Sequence, residues 1–227
     1  MSLRLTVIIF GFLLALFGVL SFSFYAPQTV ITPIQSNIQS WVISTKVWDI
    51  PESTGGIALY ESARKQIGVT LEYDHTNGYY AGGEPPPYTG VCTDVISRAF
   101  SGVWVDFRSL VHKDILKNPA LYKNPWDANI DYRRVKNLKI FLDRKAIVLT
   151  NELIPEKREN YEQWQTGDIV IFDELPTSHL WHIGIVAHER SDDGVPYIID
   201  NHGYGTNILI TPLDWPTKVI GHYRWKW

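Results

Sequence analysis

The only cysteine of this 227-residue chain, Cys92, closes a Gly/Pro-rich stretch. That stretch runs from Tyr79-Tyr80-Ala81-Gly82-Gly83 through Pro85-Pro86-Pro87 to Gly90-Val91. Beyond the cysteine, Val95, Ile96, Ala99 and Phe100 recur at three- and four-residue steps, the period of an amphipathic helix. Loop residues before it and helical period after it predict Cys92 at or just before the first helical turn. The N–H groups of a first turn lack partners inside the helix, and the dipole there favours negative charge. A thiolate gains from both, which is one way a cysteine becomes a nucleophile near neutral pH. The competing reading is an inert, buried apolar cysteine, so the question becomes whether a base can reach the sulfur.

A thiol nucleophile needs a base within hydrogen-bond reach and a third group to orient that base. His182 opens the apolar run His182-Ile183-Gly184-Ile185-Val186, which reads as a strand whose one face carries His182, Gly184 and Val186. The small Gly184 is expected to leave room for substrate. The turn Asp192-Asp193-Gly194 folds Pro196-Tyr197-Ile198-Ile199-Asp200-Asn201 back against that strand. Equal steps on either side bring Asp200 or Asn201 opposite His182. Either could accept from one ring nitrogen and leave the other free to take a thiol proton. The expected order is Cys92, His182, Asp200, with Asn201 as the alternative third member. A half-buried strand histidine and an Asp-Asn turn are common enough singly; their occurrence in this order, on a helix start and two paired strands, is what selects the catalytic reading.

Two other chemistries are open. His179, His182, His188, His202 and His222 crowd the C-terminal third, and His179-x-x-His182 is a possible zinc-ligand pair for a metal-dependent hydrolase. Against it, His182 and His188 lie about 20 Å apart on one strand face at ~3.3 Å per residue. A lone cysteine also rules out a Cys-based zinc cluster and an internal disulfide framework. The thiol reading calls for no cofactor and no metal. The nine tryptophans, Trp225 and Trp227 among them, admit a non-catalytic module that stacks on sugars, although tryptophans serve more commonly as core and strand residues. A net charge of -3 without a Lys/Arg run gives no purchase for nucleic acid.

The positioning elements follow from periodicity. Leu5 to Tyr25 is almost wholly apolar with Arg4 before it, long enough to span a bilayer. Residues 1–26 read as an uncleaved membrane anchor, with a signal peptide as the alternative; Ser21 and Ser23 offer small residues, but Phe22 and Phe24 flank them. Arg4 places the N-terminus in the cytoplasm and the remainder across the membrane. Residues 27–50 read as a tether, with an amphipathic piece from Ile38 to Val47, and residues 51–227 as the domain. Ser53 or Thr54 caps a helix running towards Gly68; Val69–Tyr73 is extended. A helix is expected around Leu110–Leu116 and another opening at Asp131. Arg133 and Arg134, near its start, read as a solvated basic turn or, functionally, as groups facing a substrate carboxylate. Strands are expected at Asp168–Phe172, His182–His188, Pro196–Asn201, Ile208–Ile210 and Val219–Arg224. Helices first and a mostly antiparallel sheet later make an α+β order.

These motifs together resemble the NlpC-type papain-like amidases and peptidases of bacterial cell walls. The shared residues are Tyr79-Tyr80-Ala81-Gly82-Gly83, Cys92, Gly167-Asp168-Ile169-Val170-Ile171-Phe172, His182-Ile183-Gly184-Ile185-Val186 and Ile198-Ile199-Asp200. Gly90-Val91-Cys92-Thr93-Asp94, Asp131-x-Arg133-Arg134-Val135-x-Asn137-Leu138 and Gly221-His222-Tyr223-Arg224 match an uncharacterised bacterial branch of that superfamily more closely. The resemblance covers Gly55 to Arg224. It implies a papain-like fold, a Cys92–His182–Asp200 hydrolase with Asp200 where the family usually carries His, and an oxyanion hole that includes the Cys92 N–H. It also implies a loop tyrosine near the nucleophile, Tyr79 or Tyr80. The implied substrate is a peptidoglycan stem peptide, and the implied location is the bacterial inner membrane with the domain exported.

Overall fold

A computed structural model describes residues 50–76, 78–123, 126–173 and 181–227. The expected anchor, the tether to residue 49 and His179 lie outside them. Among the described residues no helix is long and apolar enough to cross a membrane.

The architecture is α+β. Helix α1 (Thr54–Arg64) starts where expected, with the Ser53 hydroxyl accepting the Gly56 N–H at 3.0 Å, and the chain turns through Gly68 in the left-handed region. Two short strands, β1 (Glu72–Tyr73) and β2 (Thr89–Gly90), pair in parallel just before α2 (Cys92–Ser101). Helix α3 spans Phe107–Lys117 and α4 spans Val135–Lys145. The helix expected from Asp131 is instead a 3-10 turn over Asp131–Arg133, broken by an extended Arg134 before α4 begins. After β3 (Ile147–Val148) and the short α5 (Arg158–Tyr161) come β4 (Ile169–Phe172), β5 (His182–Arg190), β6 (Pro196–Asn201), β7 (Thr206–Ile210) and β8 (Val219–Arg224). They form one antiparallel sheet in the order β3-β8-β4-β5-β6-β7.

Alternation on the central strands divides two cores. Ile169, Ile171, Ile183, Ile185, Ile199 and Tyr223 meet the helices, where Val95, Ile96, Phe100, Phe107 and Phe141 pack. On the other face Val170, Phe172, Val186 and Ile198 gather around the fully buried Trp164. The helix carrying Cys92 is therefore pressed against β5 and β6. Trp225 stacks with Phe141 and meets Phe100 and Phe107 edge-on, so this candidate sugar platform is a packing residue. Trp227 lies over Gly55, where a Cβ would fall 2.2 Å from its ring.

Candidate active site

Cys92 is the first residue of α2, and Val91 precedes it in extended conformation. The turn is closed from within: Asp94 Oδ2 accepts the Val91 N–H at 2.8 Å. The helix tip is tied to the sheet by Asn201 at the end of β6. Its amide donates to the Gly90 carbonyl at 3.1 Å and to the Glu72 carbonyl at 3.2 Å. Because β5 and β6 are antiparallel, the end of β6 lies beside the start of β5, where His182 stands.

His182 Nε2 lies 2.6 Å from Asp200 Oδ2, which leaves Nδ1 as the ring nitrogen available to the Cys92 side chain, whose charge and hydrogen bonding act on the imidazole. Cys92, His182 and Asp200 are thus brought together. Asp200 does not stand directly opposite His182, however. The pairing Ile185↔Ile199 and Val186↔Ile198 continues to Gly184 and Asp200, past a register shift between Val186 and Arg190. The carboxylate reaches the ring diagonally, across Gly184. A Cβ there would lie 2.3 Å from Ile198 Cγ2 and 3.3 Å from Asp200 Cβ. Gly184 makes room for the Ile198 and Asp200 side chains, in place of the substrate space expected from sequence. Asn201 points its amide at the β1–β2 backbone, as positioning of the helix tip requires, and does not meet His182.

Burial is the largest influence on His182 and works against its charged form. The Cys92 charge and the hydrogen bonds to Asp200 and Cys92 outweigh it, pushing the imidazole up to about 10. Asp200 is completely buried. Desolvation alone would raise it, but hydrogen bonds from His182 and His202 hold its carboxyl below the ordinary value. The second histidine is a partner that the sequence reading placed only among possible zinc ligands: His202 Nδ1 lies 3.0 Å from Asp200. Trp215 covers the group, stacked on the His182 ring at 4.3 Å and 8°. Cys92 is 4% exposed. A cavity of about 620 Å³ lies further along α2 and the start of α3, and none of the three residues lines it.

The tyrosine that feels the sulfur is Tyr73 on β1. Burial foremost, then the Cys92 and Asp94 charges, raise its phenol far above the ordinary range. Tyr79 is exposed, its hydroxyl accepting from the Asn129 amide at 2.6 Å. Tyr80 bonds Asp74 at 3.3 Å beneath the Arg133 guanidinium. Tyr73 went unremarked in the sequence because its two-residue strand carries no periodic signal. The expectation that Arg133 faces a substrate carboxylate is corrected: its buried guanidinium meets Asp94 at 3.0 Å, Asp74 at 3.1 Å and the Gly78 carbonyl at 2.6 Å. Arg134 pairs with Asp131 at 3.3 Å.

Of the histidines considered for zinc, His182 and His202 meet at Asp200, and His188 and His222 stand apart from them. His222 sits between the Thr150 carbonyl and Asp168 and stacks on Trp164; the exposed His188 pairs with Glu52. Among the described residues no group of three His, Cys, Asp or Glu is arranged to hold a metal ion.

A family model described as a domain of unknown function (DUF1287) matches residues 60–225, and the chain belongs to that family. It is 35% identical to the uncharacterised protein YijF of Escherichia coli K12 over 196 residues, covering 83% of this chain and 90% of the relative. No solved structure matches.

Proposed function

We propose that this member of the DUF1287 family is a thiol amidase or peptidase of papain-like type. The observation that carries the reading is the chain of contacts from the Cys92 side chain through the His182 ring to the buried Asp200 carboxylate. Cys92 gives its proton to His182 and attacks the amide carbonyl; the oxyanion forms at the start of α2, where Cys92 offers its backbone N–H. A donor so placed is typically worth ~3 kcal/mol of barrier. The protonated imidazole then delivers its proton to the leaving amine, and water hydrolyses the thioester with His182 acting as base. Its upward shift suits the acid step, since the proton is held until the amine departs. Asp200 keeps Nε2 engaged and Nδ1 turned to sulfur. His202 is a positioning residue, fixing the carboxylate from its other side. Tyr73, kept protonated by its surroundings, supplies a phenolic O–H near the sulfur, the part that the family resemblance assigns to Tyr79 or Tyr80.

The substrate class follows from the NlpC-type resemblance: stem peptides of the bacterial cell wall, met by a domain exported from the inner membrane. One observation favours a second reading, a non-catalytic wall-binding module: the low exposure of Cys92. Iodoacetamide separates the two. A catalytic Cys92 is alkylated in the folded full chain, and more slowly in the His182→Ala variant. A thiol that reacts only after denaturation supports the binding module.

A further inference from the structure

The cavity beside α2 has a rim residue in an unusual state. Trp104 is 97% exposed and adopts φ 64, the left-handed region that bulky residues rarely enter. The cause is how α2 ends. The Val105 N–H bonds the Phe100 carbonyl at 3.0 Å and the Trp104 N–H bonds the Ser101 carbonyl at 3.1 Å. This paired closure is a Schellman motif, and its left-handed residue is usually glycine, sometimes asparagine. Here a tryptophan occupies it, at a cost in both backbone strain and exposed apolar area. Strain of this kind gathers where a side chain must be presented. Packing offers no other explanation, since nearly the whole ring is in solvent.

The rest of the cavity selects among ligands. Its fixed charges balance: Glu84 and Asp106 against Arg108 and Lys113. They are also partly engaged within the protein. Arg108 donates to the Ala128 carbonyl at 2.9 Å and to Asn129 at 2.7 Å, and Asp106 accepts from the Ser109 N–H and hydroxyl at 3.0 and 2.6 Å. His112 is held by Asp131 at 2.8 Å. An anionic or cationic ligand therefore finds no surplus of opposite charge. Ser97 and Ser101 add hydroxyls from α2. An aromatic platform over a charge-balanced, hydroxyl-bearing cavity suits a neutral ligand with an apolar face and many hydroxyls.

We propose that this cavity is a carbohydrate subsite, with the Trp104 ring as the surface on which a pyranose stacks. Ser97 and Ser101 stand about 7.5 and 13.5 Å from Cys92 along the helix axis at ~1.5 Å per residue, and about 140° and 180° around it at 3.6 residues per turn. A peptide branch on a saccharide held there would pass around the tip of α2 to meet the sulfur. That last connection, which makes the substrate a peptide-bearing glycan, rests on the thiol-amidase reading; the sugar binding does not.

The test titrates chitotetraose, a neutral β-linked N-acetylglucosamine tetramer, into the full chain and its Trp104→Ala and Trp104→Gly variants, followed by calorimetry. Saturable binding by the parent and at least about tenfold weaker binding by both variants is expected, the loss of a contact worth ~1.4 kcal/mol. Trp104→Gly also raises the melting temperature, because glycine relieves the left-handed strain; this shows that the lost affinity is not lost folding. Absence of saturable binding by the parent, or equal binding by the variants, overturns the proposal. Parallel assay of the same preparations on cell-wall fragments keeps the two readings apart. Sugar binding without peptide cleavage leaves the subsite standing and removes the amidase, and cleavage without sugar binding does the reverse.

Discussion

The start of α2 carries two buried ionic clusters, one on Asp94 and one on Cys92, two residues apart. Around Asp94, the Arg133 guanidinium is shared between two carboxylates and a backbone carbonyl, and the Tyr132 hydroxyl donates to both Asp94 and the Gly83 carbonyl. Burial weakens the Arg133 charge, but Asp94 and Asp74 more than restore it. Every charged group there is partnered from within the chain: the one guanidinium serves both carboxylates, which also accept from Thr76, Gly78, Val91 and Tyr132. Around Cys92, the imidazole and its carboxylate are likewise matched, but the sulfur faces a proton carrier that it can load and unload. The first cluster closes the Gly82–Gly83 loop onto the helix tip; the second has a transferable proton. Residues two apart on one helix turn thus divide between holding the site and acting in it.

Substitutions on the two sides should separate cleanly. Cys92→Ala should abolish amide cleavage and leave the thermal midpoint nearly unchanged; cleavage at parental rate would place the reaction elsewhere. Asp200→Asn should slow cleavage by about 10²- to 10⁴-fold, the usual worth of a correctly poised base, with substrate affinity little affected. A steady-state split showing only weaker binding would contradict it. Arg133→Met should act on folding instead, destabilising the chain by about 3–5 kcal/mol because two buried carboxylates lose their partner. Chemical denaturation that finds less than about 1 kcal/mol would show that the cluster is not the clamp described.

Proton linkage sharpens the contrast. The folded-state value of His182 lies above its unfolded one, so its stabilisation is complete below the ordinary value of 6.5 and is lost as pH rises through about 10. Asp200 is shifted the other way, so its contribution is present above the unfolded carboxyl range and fades as pH falls through its depressed value. In Cys92→Ala the His182 titration followed by imidazole NMR should move down, since a source of upward shift is gone while burial remains. An unmoved titration would deny the sulfur–imidazole contact. The smallest effect is expected at His202: His202→Gln should reduce cleavage several-fold and reshape its pH profile, because the carboxylate loses one of its two imidazole partners. A profile identical to the parent would reduce His202 to packing.

The helix start at Cys92 was legible because glycines and prolines end abruptly where a 3.6-residue period begins, and the strands of the sheet because β-branched runs alternate with turn residues. The partnership of His182 with Asp200 was legible only to within two residues. The count around the turn misses the pairing seen, and the bulge between Val186 and Arg190 that sets Asp200 beside Gly184 has no clear mark in a single sequence. Arg133 was misjudged for a different reason: its carboxylates lie 39 and 59 residues away, and only the fold tells a spent guanidinium from a free one. Tyr73 and Trp104 were overlooked because neither belongs to a periodic element. One lies in a strand two residues long, the other three residues past the end of a helix.

The central claim is most directly tested by mass spectrometry of purified peptidoglycan fragments incubated with the full chain and, separately, with its Cys92→Ala variant. The account predicts product pairs whose masses sum to a parent fragment plus one water, with the break at an amide of the stem peptide, in the parental digest alone. Identical spectra from the two proteins, whether cut or uncut, would contradict it.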